Sequence, residues 1–254
     1  MLLAIDVGNT DIVFALLDKM EWRHSWRIPS KETPSPEAWQ YKLINELLEL
    51  GLQPAIIDRA IISSVVPSVT LPLQEMLLQM NAIEPLILGP ELYPQLPVEV
   101  LKPDEIGTDL VANAVAAHHR FQQKCVIVDF GTALSFTTVS EEAVINGVAI
   151  APGLKTAINA LFQNTAQLPE VPLEVPKSAL GQNTVHAIQA GVVLGYVGLV
   201  KHLLEHIRQE MGADVKVIAT GGLSSVLKPL APEFDEIDRR LTIEGLALIA
   251  QVCS

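Results

Sequence analysis

One pattern occurs twice in this chain of 254 residues, and it constrains the fold more than any other feature. Residues 2–16, LLAIDVGNTDIVFAL, contain an apolar run, an Asp-x-Gly-Asn-Thr turn and a second apolar run, which predicts a β-hairpin. Residues 125–139, CVIVDFGTALSFTTV, align with this segment and place Asp129 where the first copy has Asp6. Each copy therefore predicts a hairpin with a carboxylate near the end of its first strand.

A second pair of similar segments follows the hairpins in the same order. Residues 58–68, DRAIISSVVPS, and residues 215–225, VKVIATGGLSS, each predict a buried strand followed by a turn of small residues. Two repeats in one order indicate a duplicated domain, with one copy over 1–118 and the other over 119–254. Helices are predicted at residues 37–50, 72–80 and 108–121. The alternation of strands and helices predicts an α/β fold with mixed sheets, and we expect a central cleft between the two copies.

The net charge of the chain limits the classes of molecule that it can be expected to bind. The chain carries 17 Lys and Arg residues against 29 Asp and Glu residues, a formal charge of −12 at pH 7. An acidic surface repels phosphodiester backbones, so nucleic acid is not the expected partner. Because there is no basic patch, we expect any phosphate to be held by backbone amides, helix N-termini and a metal ion.

The sequence also bears on the compartment. Its two cysteines, Cys125 and Cys253, are too few for a disulfide framework or a zinc site, which favours the reducing cytoplasm. The N-terminus lacks the basic region of a signal peptide. Residues 183–200 carry no formal charge, but His186, Gln189 and three glycines make this segment unfavourable in lipid. We therefore predict a buried, glycine-rich helix of a soluble protein and no membrane association.

The first acidic turn has two interpretations. Gly8 permits a positive φ that would let the turn present its amides to a phosphate, and Asp6 could hold Mg²⁺ directly or through water. Asp6 and Asn9 are equally typical of an ordinary hairpin turn. The second copy, with Asp129 and Thr132, favours the functional interpretation. Two acidic hairpins facing each other across a cleft could clamp the phosphates of a nucleotide.

Other segments could contribute to the same site. Residues 107–109, Gly-Thr-Asp, begin a predicted helix, where they serve as capping residues or Asp109 acts as a general base. The glycines of 220–222 could let backbone approach a nucleobase, and Gly147 with residues 151–153 could line the cleft, although ordinary turns have the same composition. The chain contains no Walker loop, no Rossmann glycine loop and no His-Glu-x-x-His zinc motif, which excludes those three kinds of site.

Taken in order, these motifs resemble the type III pantothenate kinase family, some of whose members are described as Bvg-accessory-factor-type transcriptional activators. DVGNT at 6–10 resembles the family's phosphate motif, GTD at 107–109 its G-x-D-R motif, and DFGTA at 129–133 its second acidic turn. Later blocks, from NGVAIAPGLKTAINALF to LTIEGLALIA, extend the likeness almost from end to end.

The resemblance implies a fold, an activity and cofactors. The implied fold is a pair of duplicated ribonuclease-H-like domains of the actin and sugar-kinase superfamily. The implied assembly is a homodimer with the substrate pocket at the subunit interface. The implied activity is the phosphorylation of pantothenate by ATP to 4′-phosphopantothenate in the cytoplasm, the first step of coenzyme A biosynthesis. Mg²⁺ and a monovalent cation, K⁺ or NH₄⁺, would be required.

The resemblance also implies roles for individual residues. Asp109 would be the general base that takes the proton from the substrate's hydroxyl. The ATP phosphates would be bound by Asp6, Val7, Gly8, Asn9, Thr10, Asp11, Ile12, Val13 and Thr132. The substrate would be bound by Gly107, Thr108, Asp109, Leu110 and Thr184. Thr184 would reach either the substrate or the cation site, from the same or from the partner subunit. Asp6 would meet Mg²⁺ through the phosphates, and Asp129 would bind the monovalent cation.

The sequence departs from the family pattern where the acceptor would bind. Leu110 stands where the family has an arginine near the pantothenate carboxylate, and Val100 stands where many relatives have an aromatic residue. A charge-assisted hydrogen bond is worth about 1.5–3 kcal/mol, and leucine cannot supply one. Two alternatives therefore stay open: a kinase for a different small hydroxyl acceptor, and a non-enzymatic, nucleotide-binding transcriptional regulator.

Overall fold

The computed structural model describes residues 1–19, 21–30, 35–164, 168–169, 171–222 and 228–253. Its strands are β1 (Leu2–Val7), β2 (Asp11–Asp18), β3 (Glu21–Pro29), β4 (Arg59–Ser64), β5 (Leu86–Ile87), β6 (Glu99–Val100), β7 (Cys125–Phe130), β8 (Ala133–Val139), β9 (Val144–Pro152), β10 (Lys216–Gly221) and β11 (Glu236–Ile237). Its α-helices are α1 (Pro36–Glu49), α2 (Pro67–Asn81), α3 (Thr108–Phe121), α4 (Leu154–Gln163), α5 (Thr184–Gln189), α6 (Gly195–Met211) and α7 (Leu241–Val252). Short 3₁₀ helices cover Pro54–Ile56, Tyr93–Gln95 and Lys228–Glu233, and a π-helical turn, Ala190–Leu194, joins α5 to α6.

The two halves of the chain repeat one strand order. The first sheet runs β3-β2-β1-β4-β5, and the strands of the second half run β9-β8-β7-β10-β11. In both, three antiparallel strands are followed by a parallel neighbour of the first strand, β4 beside β1 and β10 beside β7. Asp6 lies opposite Ser63 of β4, and Asp129 lies opposite Thr220 of β10. The predicted α/β class with mixed sheets is confirmed, and both predicted hairpins are present.

The chain folds into two units. The first comprises Met1–Ala116 together with Leu241–Ser254, and the second comprises Ala117–Arg240. The change from the first unit to the second, within α3, lies close to the boundary predicted at residue 118. The predicted second domain, 119–254, also included the last helix. The structure instead groups α7 with the first unit.

Helix α7 belongs to the first unit because it packs on the first sheet and on α3. It contacts β1 and β4. Gly245 crosses α3 so closely that a Cβ atom would lie 1.9 Å from the carbonyl oxygen of Ala112. Beside this crossing, Thr242 Oγ1 donates to Asn113 Oδ1 at 2.8 Å. Helix α7 therefore fixes the position of α3, whose first turn carries the candidate base.

The first hairpin is held by the core beneath it. Leu3, Ile5 and Val7 of β1 lie in one buried cluster with Trp39 of α1 and Leu73 of α2. Successive side chains of a strand point to opposite faces, so this alternation fixes which face of β1 meets these two helices. Full burial of one such side chain contributes about 1.5–3 kcal/mol. The same alternation puts the Asp6 carboxylate on the other face of β1.

The apolar segment 183–200 is helical, but only one of its faces is buried. It lies in a continuous helix, Thr184–Met211, and 39% of the apolar window of that helix is buried. This is the one helix within the described ranges whose length and composition would allow a membrane span, a test that core helices of soluble proteins also pass. Tyr196 and Val200 pack in the core of the second unit. The other face leaves open space where a Cβ would lie on Gly191, Gly195 and Gly198. The predicted burial is therefore correct for one face and wrong for the other, because no element within the described ranges covers the glycines.

Candidate active site

The first acidic turn is braced by backbone and by Ser30. The Gly8 amide donates to the Asp11 carbonyl at 3.0 Å, and the Ser30 amide donates to the Thr10 carbonyl at 2.9 Å. Ser30 Oγ donates to the Gly8 carbonyl. The positive φ considered for Gly8 is not observed. Glycine is favoured there because a Cβ would lie only 3.1 Å from the Asp11 oxygen.

The predicted phosphate-binding residues 6–13 divide into two groups. Val7 and Ile12 are fully buried, so only their backbone atoms can meet a ligand. Asn9 and Thr10, at the tip of the turn, are exposed. The turn therefore offers its polar groups to solvent while its apolar residues anchor it in the core.

Pairing of β1 with β4 brings the first turn close to Asp109. Asp6 lies opposite Ser63 in the parallel register. Ser63 is fully buried, and its Oγ lies 2.8 Å from Thr108 Oγ1. Thr108 is the first residue of α3, and Asp109 follows it. The two predicted carboxylates of the first unit, Asp6 and Asp109, therefore lie on adjoining segments.

Asp109 is held at the start of α3 by the backbone around it. The Leu110 amide donates to Asp109 Oδ1 at 3.0 Å. A Cβ on Gly107 would lie 2.5 Å from the same oxygen, so glycine leaves room for the carboxylate. Burial raises the pKa of Asp109 above its ordinary value, and the backbone hydrogen bonds oppose this rise. A carboxylate with a raised pKa accepts a proton more readily near neutral pH, as a general base requires.

The second acidic turn is approached closely by two other parts of the second unit. The Gly153 amide and Thr156 Oγ1 both donate to the Thr132 carbonyl, at 2.9 and 2.7 Å. A Cβ on Gly153 would lie 2.4 Å from that oxygen. Gly221 has a φ of +93°, and its Cβ would lie 2.7 Å from Asp129 Oδ1. Glycine is required at both positions because the backbone leaves no room for a side chain.

Two sequence expectations for this turn have different outcomes. Gly147 lies opposite Thr138, which itself lies opposite Val126 near the start of β7, whereas Asp129 lies near the end of that strand. The prediction that Gly147 lines the site is therefore wrong, because the β8-β9 register carries it to the far end of the sheet. Residues 223–225 of the predicted glycine-rich turn lie outside the described residues.

Thr184 begins the long helix of the second unit and lines a cavity of about 620 Å³. Asn183 caps this helix, because its Oδ1 accepts from the His186 amide at 2.9 Å. A Cβ on Gly181 would lie 2.2 Å from the Ala187 amide nitrogen, so the preceding loop packs tightly on the first turn. The cavity combines this polar rim with an apolar wall that includes Leu161, Ile188 and Val192.

A metal ion in this protein would need ligands from a bound nucleotide or from backbone carbonyl groups in addition to side chains. Across the described ranges, no group of three or more His, Cys, Asp and Glu side chains is placed to hold a metal ion. Mg²⁺ is usually bound by one or two carboxylates together with substrate phosphates and waters, a role that Asp6 fits. Two oxygens lie close to Gly221. A Cβ on this glycine would be 2.6 Å from the Phe130 carbonyl oxygen and 2.7 Å from Asp129 Oδ1, so a carbonyl and a carboxylate oxygen occur together. Such oxygen ligands suit a hard cation.

Comparison with known proteins decides the family. The pattern of the type III pantothenate kinase family matches residues 2–206. A protein named type III pantothenate kinase from Treponema pallidum (strain Nichols) is 43% identical over 257 residues, which covers 99% of this chain and 94% of the relative. This chain belongs to the type III pantothenate kinase family. A family member from Thermomicrobium roseum is 39% identical, with 97% of this chain and 95% of the relative covered.

Similar solved structures identify the fold class of this member of the type III pantothenate kinase family. MreB 5 of Spiroplasma citri, bound to AMPPNP, matches with a TM-score of 0.54 at 10% identity, covering 99% of this chain and 96% of that one. An inorganic polyphosphate/ATP-glucomannokinase from Arthrobacter sp. strain KM matches with a TM-score of 0.50 at 15% identity, covering 98% of both chains. The fold is therefore that of actin-like ATPases and sugar kinases, as the resemblance implied.

Three residues that position the site were missed in the sequence. Ser30 braces the first turn, Ser63 joins β4 to α3, and Thr156 braces the second turn. None of the three belongs to a recognisable spacing motif, and each acts on a segment at least 22 residues away. The one sequence signal for Ser63 is the similarity of residues 58–68 to residues 215–225, which contain small residues at the ends of β4 and β10.

Proposed function

We infer that this chain transfers the γ-phosphoryl group of ATP to pantothenate, giving 4′-phosphopantothenate for coenzyme A biosynthesis. Full-length identity of 43% to a type III pantothenate kinase carries this conclusion. The adjoining Asp6 and Asp109 segments support it, because the turn that we assign to phosphate binding lies beside a desolvated carboxylate. Phosphoryl transfer requires mainly positioning and charge stabilisation from the protein.

Asp109 is the general base in this proposal. The primary hydroxyl of pantothenate is a weak nucleophile, and it gains strength as its proton moves to a carboxylate within hydrogen-bond reach. The Leu110 amide keeps Asp109 oriented at the start of α3. Gly107 leaves the space that the carboxylate occupies.

The acidic turns handle phosphate and cations. We place the ATP phosphates against residues 6–13 and Thr132, and Mg²⁺ between the phosphates and Asp6. We place K⁺ or NH₄⁺ at Asp129. A bound Mg²⁺ would neutralise phosphate charge, which suits a chain with a formal charge of −12. The residues of the chain orient these groups through the braced turns.

A homodimer would complete the protein. The glycine face of the long helix is open, and Phe162 and Leu194 nearby are 45% and 37% exposed. Small residues let a second helix approach closely, and a second copy of this chain would cover the apolar surface. In that assembly we assign Thr184 to substrate binding. Both cysteines are free, and we place the protein in the reducing cytoplasm.

An acceptor panel tests the proposed function. With ATP, Mg²⁺ and K⁺ present, ADP release should depend on pantothenate and should be at background with simple alcohols and sugars. Release with another hydroxyl compound in preference to pantothenate would favour the alternative acceptor that Leu110 leaves open. Salt-sensitive binding to a DNA duplex without ADP release would favour a regulator.

Leu110→Arg is expected to lower the KM for pantothenate about 10- to 100-fold with kcat kept, because a charge-assisted contact to the carboxylate is worth about 1.5–3 kcal/mol. Steady-state kinetics at saturating ATP measure the change. Leu110→Gln is the matched control, since it adds length without charge and should leave KM within about threefold. An unchanged KM in the arginine variant would show that the carboxylate is held elsewhere.

The pH dependence should reflect the raised pKa of Asp109. The base acts only when ionised, so kcat/KM for pantothenate should fall as the pH falls through that pKa. Burial places this acid limb above the value of about 3.9 that is usual for an exposed aspartate. The measurement is kcat/KM between pH 4 and 9 at saturating MgATP, with circular dichroism at each pH to confirm folding. An acid limb at the ordinary aspartate value would contradict the desolvated base.

A further inference from the structure

One buried hydroxyl near Asp109 has no role in the proposed mechanism. Tyr93 is 4% exposed, and its hydroxyl has no hydrogen-bond partner in the part of the chain that the structure describes. Buried polar groups are nearly always paired, so an unpaired one calls for a partner from outside the described residues. Four other side chains share this property: Trp26, Trp39, Thr137 and Tyr196. Of the two tyrosines in this set, Tyr93 is the one whose pKa is raised by the charge of Asp109 as well as by burial.

Backbone hydrogen bonds fix Tyr93 at the sheet edge that carries the candidate site. The Leu88 amide donates to the Ile62 carbonyl at 2.9 Å, so the segment after β5 leaves the sheet directly beside Ser63. The Tyr93 amide then donates to the Gly89 carbonyl at 3.2 Å, within the turn that opens the 3₁₀ helix. The position of the ring is therefore set by the fold and not by a mobile loop end.

The Tyr93 hydroxyl is suited to act as a hydrogen-bond donor. Burial raises the pKa of Tyr93 to about 12, and the charge of Asp109 adds to the rise. The phenol therefore keeps its proton throughout the range in which a kinase works. Within the described ranges no hydrogen bond joins it to Asp109 or to any other group, so its proton has no acceptor there.

We propose that the Tyr93 hydroxyl donates a hydrogen bond to an oxygen of the acceptor while the acceptor's primary hydroxyl meets Asp109. This inference rests on the proposed function and names a specificity residue for it. Pantothenate offers three further oxygen groups: a secondary hydroxyl, an amide carbonyl and a carboxylate. Leu110 supplies no hydrogen-bond donor to the acceptor. The neutral phenol of Tyr93 would orient the acceptor in place of the arginine that this chain lacks.

Tyr93→Phe tests the proposal through two measured quantities, the KM for pantothenate and the melting temperature of the free protein. Loss of one neutral hydrogen bond should raise the KM for pantothenate about three- to tenfold, with kcat within about twofold. The melting temperature of the free protein should stay the same or rise, because the variant removes a buried polar group that has no partner among the described residues. A purely structural hydroxyl would instead lower the melting temperature.

Tyr196→Phe is the matched control. Tyr196 is also buried, and its hydroxyl also has no partner among the residues that the structure describes. Burial raises its pKa to about 12, but it lies in the core of the second unit. The same chemical change there should leave the KM for pantothenate unchanged. A rise in KM only in Tyr93→Phe would separate acceptor binding from a general effect of removing a buried hydroxyl.

Pantothenol, which lacks the carboxylate, identifies the oxygen. If the effect of Tyr93→Phe on KM disappears with pantothenol, the carboxylate is the partner; if it persists, the partner is the secondary hydroxyl or the amide carbonyl. Normal wild-type turnover with an unchanged KM in Tyr93→Phe, or a lowered melting temperature, overturns this proposal alone. Absence of wild-type turnover overturns the proposed function, and this inference with it.

Discussion

Asp109→Asn is expected to lower kcat for pantothenate phosphorylation about 10²- to 10⁴-fold, the range that a positioned general base contributes. Asparagine has nearly the same shape, and its Oδ1 can still accept from the Leu110 amide. The loss would therefore come from the missing proton acceptor and not from a displaced helix. Rapid-mixing or steady-state kinetics with saturating pantothenate and ATP measure it.

The same variant should be more stable than the wild type at neutral pH. Burial raises the pKa of Asp109 in the folded state above that of the unfolded chain. Such a carboxyl destabilises the fold once the pH exceeds the unfolded pKa, and the full effect is reached above the folded pKa. A neutral amide removes this effect, so the melting temperature should rise at pH 7 and the difference should vanish in acid.

Asp104→Asn is the control for both readouts. Asp104 is exposed and precedes the same helix, so the variant makes the same change in charge near the site. Its kcat and melting temperature should match those of the wild type. Retention of more than about one tenth of the activity by Asp109→Asn would remove Asp109 from the base role.

Gly245→Ala is expected to destabilise the protein by about 3 kcal/mol or more, at the upper end of what overpacking causes. Alanine normally stabilises a helix interior relative to glycine by about 0.8–1.0 kcal/mol. Here its Cβ would lie 1.9 Å from the backbone oxygen of Ala112, which has no side-chain freedom to move away. Helices α7 and α3 would have to separate, and the start of α3 carries Asp109, the proposed general base.

Denaturant unfolding followed by circular dichroism measures the change in the free energy of unfolding. Gln251→Ala, on an exposed position of the same helix, is the control and should change stability by less than about 0.5 kcal/mol. A Gly245→Ala variant as stable as the control would mean that α7 does not cross α3 at this glycine.

Local elements were predictable where the sequence pattern is strong. The predicted helix at 108–121 coincides with α3, and both hairpins form where the repeated motif places them. The helix predicted from Pro72 instead begins at Pro67. Proline is favoured in the first turn, where its missing amide is not needed, and Pro67 serves this role while Pro72 is tolerated within the helix.

Long-range placement was not predictable from one sequence. An apolar helix such as α7 can cover either sheet, and its contacts with β1 and β4, together with the fit of Gly245 against Ala112, assign it to the first unit. The relation of Ser63 to Thr108, and of Tyr93 to Asp109, depends on how β4, β5 and α3 meet. The acidic motifs were recognisable because their residues are adjacent in the chain, whereas the residues that support them are not.

Phosphorus NMR of one reaction mixture tests the central claim most directly. Purified protein is incubated with ATP, Mg²⁺, K⁺ and pantothenate, and the phosphorus-containing products are identified and counted. We predict a new phosphomonoester on the primary hydroxyl of pantothenate in equal amount to ADP, and neither product when pantothenate is omitted. ADP that forms with inorganic phosphate instead, or ATP that stays intact, would contradict the account.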